Sequence, residues 1–208
     1  MKNDYLRIIW FKKASKYSDN ASLINNTFDE LVKSYTSHKR SYHDLSHVID
    51  LLNLHEQEAF RINDEEVVFF SIWFHDSIYE PLKNDNESKS ADWAIHFLQQ
   101  INFPAGRIEK VKDYILATKT HESNGENDLN LFLDFDLSIL GSDEMIYDVY
   151  ARQIRQEYHF YPNFLYNRGR KKVLQELLAK DRIYITDDFF ERIEAQARIN
   201  MQRELDDL

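Results

Sequence analysis

Residues 69–79 read FFSIWFHDSIY, and the rest of the chain is read outward from them. Apolar and aromatic side chains fill almost every position, so a helix built from this stretch has no face suited to water. At its centre His75 and Asp76 stand side by side. A carboxylate in such surroundings is costly unless it is paired or bound to a cation. The plain alternative is a buried histidine hydrogen-bonded to a neighbour, next to an aspartate that caps or pairs. Upstream, Asn63-Asp64 with Glu66 signals a helix start; downstream, Pro81 signals a stop. The stretch therefore reads as the buried central helix of an all-α domain, ending near Pro81.

The flanking sequence repeats the helical period. Leu6, Ile9 and Trp10 mark a helix over 3–14, and Leu23, Phe28, Leu31, Val32 and Tyr35 mark one over 21–37. Ser41 with Asp44 three residues on resembles a capping box and opens a helix carrying Leu45, Val48, Ile49 and Leu52. Beyond the central helix, segments from about Ser88, from Pro104 to His121, and over 129–140, 142–158, 163–179 and 186–206 follow the same period, Gly141 serving as a stop. No repeat, low-complexity tract or linker interrupts them. The expectation is a single compact domain over 1–208, a helical bundle of about nine to ten helices.

Composition agrees. The 208 residues suffice for one sizeable core, 43% are apolar, and only four Gly and three Pro occur, which disfavours many-stranded architectures. The formal charge of −10 argues against binding a nucleic-acid duplex. There is no cysteine, so disulfides and thiolate metal sites are excluded. The N-terminus is too charged for a signal peptide, and no run of about 18 apolar residues exists. A soluble cytoplasmic protein without membrane partners is the expectation.

Three other polar sites converge in character on His75-Asp76: Tyr42-His43 with His47 before it, His121 after it, and Asp134-Phe135-Asp136 later still. His43 and His47 lie four apart and share a face if both are helical; an imidazole pair at this spacing is a usual way to present nitrogen to a metal. Asp134 and Asp136 interrupt the apolar run LFLDFDLSIL. Two apart on a helix they diverge, so one faces an ion while the other supports or caps. Together these residues offer a mixed nitrogen and oxygen shell suited to a divalent ion (Mn, Fe, Co, Ni, Zn or Mg) with open water positions, and poor for closed structural zinc.

The ordered series RSYHDLSH, WFHDSIYEP, DNESKSA, ATKTH, FLDFDLSILG, IRQEY and GRKKVL resembles the HD-domain superfamily, and within it the small bacterial proteins regarded as metal-dependent HD phosphohydrolases. The resemblance covers about residues 38–185, with flanking helices at both ends. It implies an HD-like helical bundle and the ligands His47, His75, Asp76 and Asp136, leaving His43 and Asp134 as supporting residues. His47 is preferred because Val48-Ile49 follows it, and Asp136 because the apolar continuation follows directly. The implied activity is hydrolysis of a small phosphorylated metabolite, nucleotides among the candidates, by water activated on the metal. An HD-type di-iron oxygenase and a non-catalytic nucleotide- or metal-binding regulatory module are the alternatives.

Phosphate hydrolysis also needs cations for non-bridging oxygens and a group that takes a proton. Glu87 and Asp85 are the candidate bases; each also reads as ordinary acidic charge at a helix N-terminus. His121 is a candidate acid, phosphate ligand or second-metal ligand, against a plain role in the last turn of its helix. Lys119, Arg40, Arg155, Arg168 and Arg170 are candidate phosphate anchors, although surface pairing explains any one of them. Tyr42 and Tyr79 flank the centre and are candidates to line a pocket.

Overall fold

The computed structural model describes residues 2–208. Among them are ten α-helices and two short 3-10 segments, with no strand, so the chain is all-α. No helix is long and apolar enough to cross a membrane among the described residues. The chain divides into two compact units, one reaching Glu122 and the other starting at Ser123.

The first unit holds α1 (Lys2–Ala14), α2 (Ala21–Tyr35), α3 (Leu45–Gln57), α4 (Glu65–Phe74), α5 (Asn86–Gln100) and α6 (Ala105–Ala117), with a 3-10 segment at Ala59–Arg61. Every residue from Val67 to His75 is buried, so α4 is the central helix that its composition calls for. Its start follows from Asp64, whose carboxylate accepts the Val67 N–H at 3.1 Å. Around it lies an aromatic cluster centred on Trp10, which stacks on Phe97 at 5.1 Å and meets Trp73 edge-on at 5.5 Å. The Trp10 indole N–H donates to the Ile24 carbonyl at 2.9 Å, which ties α1 to α2 and satisfies the one polar atom of this buried ring.

Among the boundaries that differ from the sequence reading, two bear directly on the site. Helix α4 ends at Phe74, not near Pro81, which places His75 at the helix cap and Asp76 in the turn beyond it. The cause is competition for carbonyls. The Tyr35 hydroxyl donates to the Trp73 carbonyl at 3.1 Å, and the His75 ring folds back to the Ile72 carbonyl at 2.8 Å. Helix α3 begins at Leu45, capped by Asp44, whose carboxylate accepts the Ser46 N–H at 2.7 Å; Ser41 does not open it. His43 therefore precedes the helix that carries His47. A third difference concerns His121. Helix α6 stops at Ala117, and His121 lies beyond it in the left-handed region at φ 52°, its N–H on the Ala117 carbonyl at 2.8 Å.

The second unit holds α7 (Asn127–Leu137), α8 (Glu144–Glu157), α9 (Asn163–Leu178) and α10 (Asp187–Asp207), with a 3-10 segment at Ser138–Gly141. The start of α8 falls to Asp143 and not to Ser142. Helix α10 packs on the 3-10 segment and on α9. The close approach explains Gly141: a Cβ there would lie 2.6 Å from the Ile193 Cβ. Two buried carboxylates organise the entry to α10. Glu194 accepts the N–H groups of Ile183 and Tyr184, and Asp134 accepts those of Ile185 and Thr186.

Candidate metal centre

The centre is built from α3 and the end of α4. On α3 the buried residues are His47, Val48, Leu51, Leu52 and His55, one stripe along one face, so His47 is carried inward by the same periodicity that buries the leucines. On the other side, the cap of α4 turns the His75 ring towards it. The two Nε2 atoms stand 3.2 Å apart, and both residues are almost fully buried. The Asp76 carboxylate brings Oδ2 to 3.3 Å from the His75 Nε2. Two buried histidines, with the half-buried Asp76 beside one of them, therefore lie together within the first unit.

The protons of this cluster follow from its hydrogen bonds. The His75 Nδ1 is 2.8 Å from the Ile72 carbonyl, which can only accept, so Nδ1 carries the proton and the neutral ring presents a bare Nε2. In the ion-free protein the His47 Nε2–H then donates to it. To hold a cation, His47 would adopt the Nδ1–H tautomer, so that both Nε2 atoms would offer lone pairs.

The donor set suits a metal. Neighbouring ligands on a tetrahedral or octahedral ion with bonds of about 2.0–2.1 Å lie about 2.8–3.4 Å apart, and the spacings of 3.2 and 3.3 Å fall inside that range. Two neutral imidazoles with at least one carboxylate match a borderline divalent ion. The His75 Nδ1 contact to a backbone carbonyl is the outer-shell bond that metal-ligating histidines use to fix ring and tautomer.

An aromatic collar surrounds the pair. Tyr42 packs on both His43 and His47, with ring centroids 4.9 and 5.0 Å away, and Tyr79 stacks on His43 at 4.4 Å. The His43 ring is 5.9 Å from that of His47 despite lying outside the helix. Downstream, the chain after the doublet is stitched to the first turn of α5. The Ser90 hydroxyl accepts the Ile78 N–H at 3.0 Å, and the Asn86 amide bridges the N–H and carbonyl of Glu80.

That stitching positions Glu87, which lies between Asn86 and Ser90. Its Oε2 is buried without a hydrogen-bond partner, and the nearest cation, the Lys119 ammonium, is 3.7 Å off. Asp85 differs: it is exposed and paired with Lys89 at 2.9 Å, whose hydrogen bond holds its carboxyl below the usual range. Lys119 donates to the Asn84 carbonyl at 2.5 Å. The Ser77 hydroxyl, beside the doublet, is a second buried polar atom without a partner. Sequence reading passed over Ser77; an isolated serine in an apolar run gives little signal.

The arginines have structural partners. Arg40 donates to the carbonyls of His43, Asp76 and Ser77. Within the second unit, Arg155 donates to the carbonyls of Tyr158 and Tyr161 and to the Asn163 side chain, closing the turn between α8 and α9. Arg170 is buried against Glu204 at 2.7 and 2.9 Å and lies over the Tyr150 ring. Arg168 is exposed on α9. Asp136 is half-buried in the last turn of α7. Asp134 is buried and accepts three hydrogen bonds from Ile185 and Thr186; burial nevertheless pushes its carboxyl above the usual range.

Comparison of the chain with family models, curated proteins and solved structures gives no match.

Proposed function

We propose that the protein is a metal-dependent phosphohydrolase of the HD type, acting on a small phosphorylated metabolite of the nucleotide class or similar. The reading is supported above all by the two buried Nε2 atoms 3.2 Å apart with the Asp76 carboxylate beside them. In this reading the chain works as one HD-like domain, and the motif resemblance assigns His47, His75, Asp76 and Asp136 to one divalent ion. The place of Asp136 rests on the motif LDFDLSILG.

A divalent ion at this centre would lower the pKa of a coordinated water and polarise a phosphoryl oxygen. The chain supplies the remainder. His75 keeps its Nε2 bare through the Ile72 carbonyl, and the collar of Tyr42, His43 and Tyr79 limits access of bulk water. Glu87, with an unpartnered buried oxygen, accepts the proton of the attacking water; Asp85 is less suited because Lys89 engages it. Lys119, 3.7 Å from Glu87, and His121 would offset phosphate charge.

Elemental analysis followed by a panel of phosphatase, pyrophosphatase and phosphodiesterase substrates with Mn, Co, Ni and Mg tests the proposal. Asp76→Ala should lose bound metal and turnover while retaining helicity; unchanged turnover in that variant overturns it. The proximity of His43 to His47 supports one second reading, a di-iron oxygenase. Two irons per chain after anaerobic purification would favour it.

A further inference from the structure

The carbonyls around the doublet are almost all claimed, and by side chains. Ile72 is taken by the His75 ring, Trp73 by the Tyr35 hydroxyl, and Asp76 and Ser77 by Arg40, at 2.6 and 3.0 Å; Phe74 is met by a main-chain group, the Ser77 N–H. The same guanidinium also donates to the His43 carbonyl at 2.9 Å, two residues before α3 begins. One planar cation therefore joins the entry of the helix that carries His47 to the turn that carries Asp76. It is itself held between rings, its carbon 4.9 Å from the Tyr35 centroid and 5.4 Å from that of Tyr79.

We propose that Arg40 is a positioning residue of the metal centre, fixing the His75-Asp76 turn against α3 so that the Asp76 carboxylate meets the ion, and not a phosphate anchor. The inference rests on the metal reading above. Two features support it. The Arg40 fork reaches two adjacent carbonyls at once, which a lysine ammonium does not reproduce. Three of its five N–H groups, both of those on Nη1 among them, are already engaged with carbonyls, so the fork is committed to the turn.

A clamp of this kind could serve stability alone, and the chain contains its own control. Arg155 makes a similar set of contacts, to the carbonyls of Tyr158 and Tyr161, and lies over the Tyr166 ring at 4.6 Å, in the second unit. Arg40→Ala, Arg40→Lys and Arg155→Ala should be compared as full-length chains with two readouts. The first is amide hydrogen exchange over residues 75–79 in ion-free protein. The second is Mn affinity by electron paramagnetic resonance. Arg40→Ala should speed exchange in that segment and weaken Mn binding about 10–100-fold, the range for removing an outer-shell support. Arg40→Lys, which keeps charge and bulk, should fold and show the same direction of change. Arg155→Ala should lower the unfolding midpoint and leave both readouts unchanged. Native Mn affinity in both Arg40 variants, or an equal loss in Arg155→Ala, overturns the proposal. Failure of the wild-type chain to bind any divalent ion would instead overturn the metal reading, and the exchange readout would still decide whether Arg40 holds the turn.

Discussion

Asp76→Asn removes one negative charge and keeps side-chain volume, and Arg40 grips this residue through its carbonyl, which the substitution leaves in place. The fold should therefore survive while the ion loses a charged ligand. At a metal concentration 100 times the wild-type Kd, linkage stabilises the wild-type protein by about 2.7 kcal/mol. Loss of one ligand should weaken binding at least about 100-fold, the upper range for a mere outer-shell change. At the same metal concentration the variant is then about half saturated and gains only about 0.4 kcal/mol. For a chain of this size each kcal/mol moves Tm by about 2–4 °C. Wild type should thus gain about 5–11 °C from saturating Mn, Co or Ni, and Asp76→Asn about 1–2 °C. Differential scanning calorimetry of chelator-treated protein, with and without metal, measures both. An equal shift in the two proteins removes Asp76 from the ligand set; no shift in wild type with any of Mn, Fe, Co, Ni, Zn or Mg refutes the metal centre.

Asp134→Ala leaves two N–H groups and a hydroxyl at the entry to α10 without their acceptor, so chemical denaturation should show a loss of about 2–4 kcal/mol, with metal affinity unchanged; Asp136→Ala should give the converse, and reversal of the two outcomes would exchange their roles. For Glu66, burial would raise the carboxyl, but hydrogen bonds from Lys16 and Arg107 outweigh it and hold the group at about 2. Since the folded value lies below the unfolded 4.5, the stability it brings, at most roughly 3 kcal/mol, is present above pH 4.5 and is lost as pH falls towards 2. The gap in unfolding free energy between wild type and Glu66→Gln should narrow over that window, and a constant gap would contradict the ion-pair account. His121 occupies the left-handed region, which Asn tolerates. His121→Asn should keep Tm within about 2 °C, the shift of a near-neutral substitution, while turnover falls; unchanged turnover would assign His121 to the turn alone. Gly141→Ala should cost about 1–3 kcal/mol, because its Cβ meets Ile193, and an unaffected denaturation midpoint would show that α10 can yield.

The helices were legible because their signals are local. The run from Val67 to Phe74 announces burial by composition, Asp64 announces a start, and the spacing of His47 with Val48, Leu51 and Leu52 gives the inward face of α3. The end of α4 was not legible. It is set by the fold-back of the His75 ring and by Tyr35, 38 positions upstream, which take carbonyls that a continued helix would have used. The arginines show the same limit. Read alone, Arg155 and Arg170 are free cations suited to phosphate, but Arg155 closes a turn and Arg170 sits against Glu204 and Tyr150. Asp134 and Asp136 are alike in local context, and what distinguishes Asp134 is a pair of amides about 50 residues later.

The bond from the His75 Nδ1 to the Ile72 carbonyl has a bearing on how such a centre can change over generations. The acceptor is main chain, so no replacement of the Ile72 side chain can delete it, and the donor ring is the ligand itself. Tautomer choice is thereby hidden from point mutation: it can be lost with His75 or with the end of the helix, but not tuned at a separate position. In a metal centre built this way, variation in metal preference would be left to the carboxylates and the collar, where side chains alone act, while the imidazole half would be inherited with the fold.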